Sequence, residues 1–147
     1  MKQQRRTRTE DYLAAIESVC TTTGQDRAAT GAIAREIGVT TGTASIVLKG
    51  LAEDGLIDLI PYAGSTLTSE GRVRARRLKR RHQLLELLLV RVLGYDSVNA
   101  VIEARNLEPT ASKTLVERID SHLGHPIADQ HGHAIPRDDD PLTESPA

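Results

Sequence analysis

The chain has 147 residues, 39% of them hydrophobic, with no Trp and no Phe. It can build one or two small domains around an aliphatic core of Leu, Ile, Val and Ala, and most large catalytic folds are excluded. The net charge of -1 hides a split: residues 1–91 carry 15 Lys and Arg against 10 Asp and Glu, and residues 92–147 carry 4 against 10. The basic part points to a polyanion partner and the acidic part to some other role.

In chain order, "TEDYLAAIESVC" places Leu13, Ile16, Val19 and Cys20 at helical spacing, with Glu10 and Asp11 in the opening turn. Cys20 has no disulfide partner and reads as a buried core thiol. "TTTGQD" breaks this first helix. A second spans about 28 to 37, with Ile33, Ala34 and Ile37 inward. Gly38 stops it, and Thr40 caps a third helix over about 41 to 53 whose inner face is Ala44, Val47, Leu48 and Leu51. "LIDLI" and "STLT", separated by "PYAG", predict a small hairpin. Thr68 caps a long fourth helix to about Leu93, with Val73, Leu78, Leu85 and Leu89 as its inward stripe. Six of the ten residues from 72 to 81 are arginine, a run that reads first as a solvated face. Gly94 ends the helix, and two shorter ones follow near 97 to 107 and 112 to 123, the second opened by Ser112. From His125 the apolar periodicity is lost, and "PRDDDPLTESPA" is expected to be disordered. No apolar run spans a bilayer, since "LLELLLVRVLG" is broken by Glu86 and Arg91, and no signal-peptide core follows the basic N-terminus. A cytoplasmic protein is expected.

The predicted fold is mainly α. A winged helix-turn-helix over residues 1–70 is followed by a helical domain over 71–136 and a disordered tail over 137–147. A reading helix that enters the major groove needs small or polar residues at its N-terminal end, and Thr40, Thr41, Gly42, Thr43 and Ser45 supply them. Arg27, Arg35 and Lys49 are candidates for phosphate neutralisation, with Tyr62 at the wing tip. The same pattern would also serve a helical packing unit whose Thr-rich turn only caps a helix.

In "RRHQLLELLL", His82 and Glu86 stand at i and i+4, on one helix face and within reach of one ion. Alone, such a pair is as well explained by a surface hydrogen bond. The order of segments says more. "TEDYLAAI", a winged helix ending "LTSEG", "RRHQLLE", "LGYDSVNAVIEARNLEPTAS" and "LGHPIADQHGHAIP" together resemble the diphtheria toxin repressor family of iron- and manganese-dependent transcriptional repressors. The resemblance covers about residues 7 to 136, with "RRHQLLE" and the D-x-H-G-x-x-I-P ending its most specific parts.

That resemblance implies a homodimer on a palindromic DNA operator, the second domain serving dimerisation and metal binding. It also implies an ion that acts as effector by linking helix one to the dimerisation helices. Carried over by position, the primary metal site keeps Asp11, His82 and Glu108. Ala14 stands where manganese-type members have a second acid, Arg105 where an acid or Cys is expected, and Pro109 where a His is expected. The primary site is therefore expected to be metal-free, with Arg105 pairing with Asp11 and Glu108 in place of the cation, or else facing solvent. An ancillary site is expected at Glu86, Asp129 and His131 with His82 nearby, although Gln130 replaces the family's Pro; His125 and His133 are further candidates. Those donors suit Mn2+ or Fe2+, with Zn2+ as a surrogate. A protein-interaction module built on the winged helix is the alternative function. An enzyme is not expected, since no nucleophile–base motif, phosphate-cradling glycine loop, HExxH or CxxC spacing is present.

Overall fold

A computed structural model describes residues 2–137, with side chains from residue 9 onward. The elements are α1 (Lys2–Thr23), α2 (Thr30–Ile37), α3 (Thr41–Glu53), β1 (Ile57–Ile60), β2 (Gly64–Leu67), α4 (Ser69–Arg91), α5 (Ser97–Leu107) and α6 (Lys113–His122). They form two compact units, the first ending at Ala75 and the second beginning at Arg76, within α4.

In the first unit, α1 buries Tyr12, Leu13, Ala15, Ile16 and Val19 against α2, α3 and β2. It is longer than expected. "KQQRRTRTE" holds good helix formers and no glycine or proline, so the helix extends to Lys2 although no apolar periodicity marks that stretch. Glu10 and Asp11 consequently lie well inside the helix and not in its first turn, where a dipole contribution would need them. Cys20 is half-buried and not a core thiol, because its Sγ points to the Asp26 carbonyl at the helix end, 3.7 Å away. Burial, with the charges of Asp26 and Glu17, raises its pKa and makes it a poor nucleophile.

Gly38, at φ 82°, turns the chain between α2 and α3, and its N–H and that of Val39 both return to the Ala34 carbonyl. Beyond α3, β1 and β2 pair antiparallel, Ile57 opposite Leu67 and Ile60 opposite Gly64. Ala28 exchanges two backbone hydrogen bonds with Ser65 on the far edge of β2, at 2.8 and 2.9 Å, so the wing is tied to the strand-like segment that precedes α2.

The start of α4 is seated on the base of this wing. Thr68 Oγ1 donates to the Gly55 carbonyl at 2.7 Å and accepts from the Gly71 N–H at 3.1 Å, and the Thr68 N–H donates to the Leu56 carbonyl. This approach requires Gly71, where a Cβ would stand 2.0 Å from the Leu56 oxygen.

The second unit packs Leu84, Leu85, Leu87 and Leu89 of α4 on Ala100 and Ala104 of α5, Val116 and Ile119 of α6, Ala111 and Ile135. The two alanines let α5 lie close. Asp96 and Ser112 cap α5 and α6 by accepting from the Asn99 and Leu115 N–H groups. Residues after His125, where no apolar periodicity marks an element, are held by the Ala128–Ala134 bridge and by buried Ile135. The tail expected from 137 onward lies, apart from Arg137, outside the described residues.

Gly71→Ala should destabilise the first unit by roughly 2–3 kcal/mol, since neither the helix start nor the backbone oxygen it meets is free to give way. Urea unfolding followed by circular dichroism will show the lowered midpoint, and an unchanged midpoint would mean the α4 start is not seated as described.

Candidate functional site

Two groups of residues stand out, one in each unit. In the first, the N-terminal end of α3 is prepared by Thr40, whose Oγ1 accepts from the Thr43 N–H at 3.1 Å and lies 2.9 Å from Thr43 Oγ1. Those two hydroxyls are thus turned on each other. Thr41, Gly42 and Lys49 are exposed, Ser45 is half-exposed, and Ile46 projects from the same face with 74% of its surface open. Ala44, Leu48 and Leu51 face the core. Ile46 is not picked out by composition, but its place four residues after Gly42 and three before Lys49 puts it in the middle of the outward face. Arg35 is exposed on α2. Tyr62 stands fully exposed at the hairpin tip, with φ 65°.

Arg27 has a different task. Its guanidinium bonds Asp58 Oδ2 at 2.6 Å and the carbonyls of Asp58 and Gly64 at 3.1 and 3.3 Å. It clamps the wing from the segment before α2, which the sequence pattern does not reveal.

In the second unit, Glu86 is buried and acts as a hub. His82 Nε2 lies 2.9 Å from its Oε2, Gln130 Nε2 donates to its Oε1 at 2.6 Å, and His131 Nε2 is 3.5 Å from the same oxygen. The other ring nitrogen of His82 is 3.2 Å from Glu108 Oε1, so when protonated His82 donates to two carboxylates at once. Burial disfavours that charge, but the Glu108 hydrogen bond and the charges of Glu108 and Glu86 outweigh it. The His82 pKa is raised, with the Arg105 charge pulling the other way.

The expected Arg105–Glu108 pair is not made: His82 takes the Glu108 carboxylate, the Arg81 guanidinium reaches the Glu108 main-chain oxygen at 3.3 Å, and Arg105 is exposed. Asp11 lies on the exposed side of α1, in the other unit.

Asp129 faces inward to its own loop. Its Oδ1 accepts from the His131 and His133 N–H groups, both at 2.9 Å, and its Oδ2 from Gln83 Nε2 at 3.0 Å. Burial pushes its pKa up, yet these donors hold it below the ordinary carboxylate value. A third buried acid, Asp120, is met by His125 Nδ1 at 2.6 Å and Arg80 at 3.3 Å, and its pKa is lowered despite burial for the same reason. Among the described residues no three His, Cys, Asp or Glu side chains are arranged to hold an ion. Gln83, Gln130, Arg80 and Asp120 carry much of this network. For Gln83, Arg80 and Asp120 the sequence signal is no more than a polar residue within a helix, and Gln130 stands out only as the departure from the family's Pro.

The model of the iron dependent repressor metal binding and dimerisation domain matches residues 68–137. The transcriptional regulator MntR of Escherichia coli O6:H1 is 34% identical over 113 residues, covering 77% of this chain and 71% of that protein. The structure of the manganese regulator SloR superimposes with a TM-score of 0.78 at 33% identity, covering 92% of this chain and 62% of that one. A manganese-dependent transcriptional repressor in complex with manganese gives 0.75 at 41% identity, over 88% and 58%. The chain therefore spans about three fifths of these two solved regulators.

A carboxylate with a lowered folded pKa contributes stability above its unfolded value of about 3.9 and loses it as the pH falls through the folded value. Asp129 and Asp120 both act in that window. Asp129→Asn should lower the urea midpoint at neutral pH and flatten its decline between about pH 5 and pH 2. An acid limb as steep as that of the unaltered chain would show that Asp129 is not held in this way.

Proposed function

The chain belongs to the diphtheria toxin repressor family of metal-dependent transcriptional repressors, DNA-binding proteins and not enzymes, and from that premise we propose that it binds a palindromic operator as a homodimer. α3 enters the major groove from Thr41, the wing lies beside it with Tyr62 near the backbone, and Arg35 and Lys49 neutralise phosphates. The observation that carries this reading is the outward end of α3, which is capped from within by Thr40 and otherwise presents only small side chains, Ile46 and Lys49. No helix among the described residues is long and apolar enough to cross a membrane; action in the cytoplasm is proposed from the family's role on DNA.

Dimerisation through the second unit is supported by an exposed apolar face. Val98 and Ile102 stand one turn apart on α5, 71% and 55% exposed, while the core takes Ala100 and Ala104. Burial of such a face against a second copy is the largest stabilisation open to it.

The donor sets differ in how they fit an effector ion. The primary-type set does not fit: Ala14 and Pro109 carry no donor, Arg105 brings a positive charge, and His82 and Glu108 are closed on each other. The donors around Glu86 are of the type that suits Mn2+ or Fe2+, or Zn2+ as a surrogate, but they stand as hydrogen-bond partners of one another and not around an ion, so Glu86, His131 and His82 would have to turn from these contacts to hold one. Asp129 would stay with its loop. Gln130 is the adaptable member, since turning its amide end for end presents an oxygen where a donor now faces Glu86. When bound, such an ion would act as an effector.

Operator affinity should fall steeply with salt, and Arg35→Ala or Lys49→Ala should each reduce the log–log slope by about 1 per protomer. Slopes that do not change would remove the phosphate role. Ile102→Glu should give monomers in sedimentation and lose operator binding. In calorimetry, Mn2+ uptake should disappear in His131→Ala and persist in Asp11→Ala, and the reverse pattern would return the ion to the primary-type positions.

A further inference from the structure

The outward face of α3 lacks the residues that usually read bases. Arg or Lys pairing with guanine and Asn or Gln pairing with adenine make the common bidentate contacts. Thr41, Gly42, Ser45 and Ile46 can make none of these, and Lys49 stands two turns from the N-terminal end that enters the groove first. The Thr40 hydroxyl is committed to the cap, and that of Thr43 accepts from it and can offer only a single O–H, which makes no bidentate contact. What remains at the centre is a branched aliphatic side chain, 74% exposed and flanked one turn back by a glycine with nothing within 4 Å of where its Cβ would be. Single exposed apolar residues are common on proteins and mean little by themselves. The position of this one is what matters, because Gly42 lets the helix come close to the base edges while Ile46 projects from the same face one turn on.

Only one apolar group is offered by unmodified base edges in the major groove, the 5-methyl of thymine. We infer that Ile46 is the specificity-determining residue of this reading helix and that it recognises a thymine methyl in each half-site. The inference rests on the DNA-binding reading above and adds the chemistry of its specificity. Packing that methyl against the Ile46 side chain removes roughly one methylene's worth of apolar surface from water, which corresponds to about fourfold in affinity per half-site and on the order of tenfold for two. Ile46 itself packs against no core, so replacing it leaves the first unit intact.

The test begins with selection of unmethylated synthetic duplexes from a random pool by the full-length chain, so that thymine is the only source of the methyl. Each thymine of the enriched duplex is then replaced, in symmetric pairs, by deoxyuridine, which keeps every hydrogen-bonding group and removes only the methyl. One symmetric pair should lower affinity by on the order of tenfold, and Ile46→Ala should bind the thymine and uracil duplexes equally at that pair while its salt dependence is unchanged. If a sequence is enriched but no uracil replacement matters, or if Ile46→Ala discriminates as before, the Ile46 assignment is overturned and DNA binding stands. If no duplex is enriched and binding ignores salt, both fail together.

Discussion

The first turn of α4 rests on the carbonyls of Gly55 and Leu56, and the geometry of the reading unit depends on that contact. Thr68 bonds to both sides of the joint and Gly71 allows it by having no side chain. α3 ends at Glu53, immediately before the joint, and β1 begins just after it. One short seat therefore fixes the end of the reading helix, the root of the wing and the beginning of the long helix. Arg27 closes the other side by gripping Asp58 and the Gly64 carbonyl. A wing set this firmly lets a hairpin of two four-residue strands serve as a fixed part of a surface, where an isolated hairpin of that size would be marginal.

The second unit holds its polar end in another manner. Four of the five histidines lie against three buried acids: His82 and His131 at Glu86, His125 at Asp120, His133 at Asp129. The segment after α6 buries little apolar surface, and what orders it is hydrogen bonding to carboxylates already desolvated by the core. A buried charge that loses its donors is costly, so each acid holds its donors as much as they hold it. Asp129 differs from the other two in the kind of partner it has. It accepts from two backbone N–H groups, which cannot turn away, besides the Gln83 side chain, whereas Asp120 is met by the side chains of His125 and Arg80 and Glu86 by those of Gln130, His131 and His82, which can.

Much of this was legible from the sequence because it rests on local chemistry. The start of α3 follows from Thr40, the end of α4 from Gly94, the start of α6 from Ser112, and the hairpin from Pro61 and Gly64. The extension of α1 to Lys2 was not legible, since a helix polar all round has no period to detect. The Arg27 clamp and the Gln83–Asp129 bond join residues 31 and 46 positions apart, and nothing in either neighbourhood announces the other. At Arg105 the sequence left two readings open, a bridge to Glu108 and a solvent-facing side chain, and local chemistry could not choose between them: His82, with two ring nitrogens suited to joining two acids, takes the Glu108 carboxylate while Arg105 is exposed.

The reading face and its surroundings divide the work of binding between two kinds of force. In the DNA-binding reading proposed above, Arg35 and Lys49 would supply attraction that every duplex satisfies equally, setting affinity and its salt dependence but carrying no sequence information. On α3 itself the polar groups that remain outward are short, and a hydroxyl accepts and donates without distinguishing strongly among bases. Discrimination must then come from shape, from the deformability of the site and from apolar contact. Of these, only apolar contact has a dedicated side chain at the centre of the helix face. A regulator built this way gains little from each base pair, and it depends on two copies held at a fixed spacing to turn small differences into selectivity. That dependence is why a domain whose exposed aliphatic face suits self-association belongs in the same chain as a reading helix with so few long polar side chains.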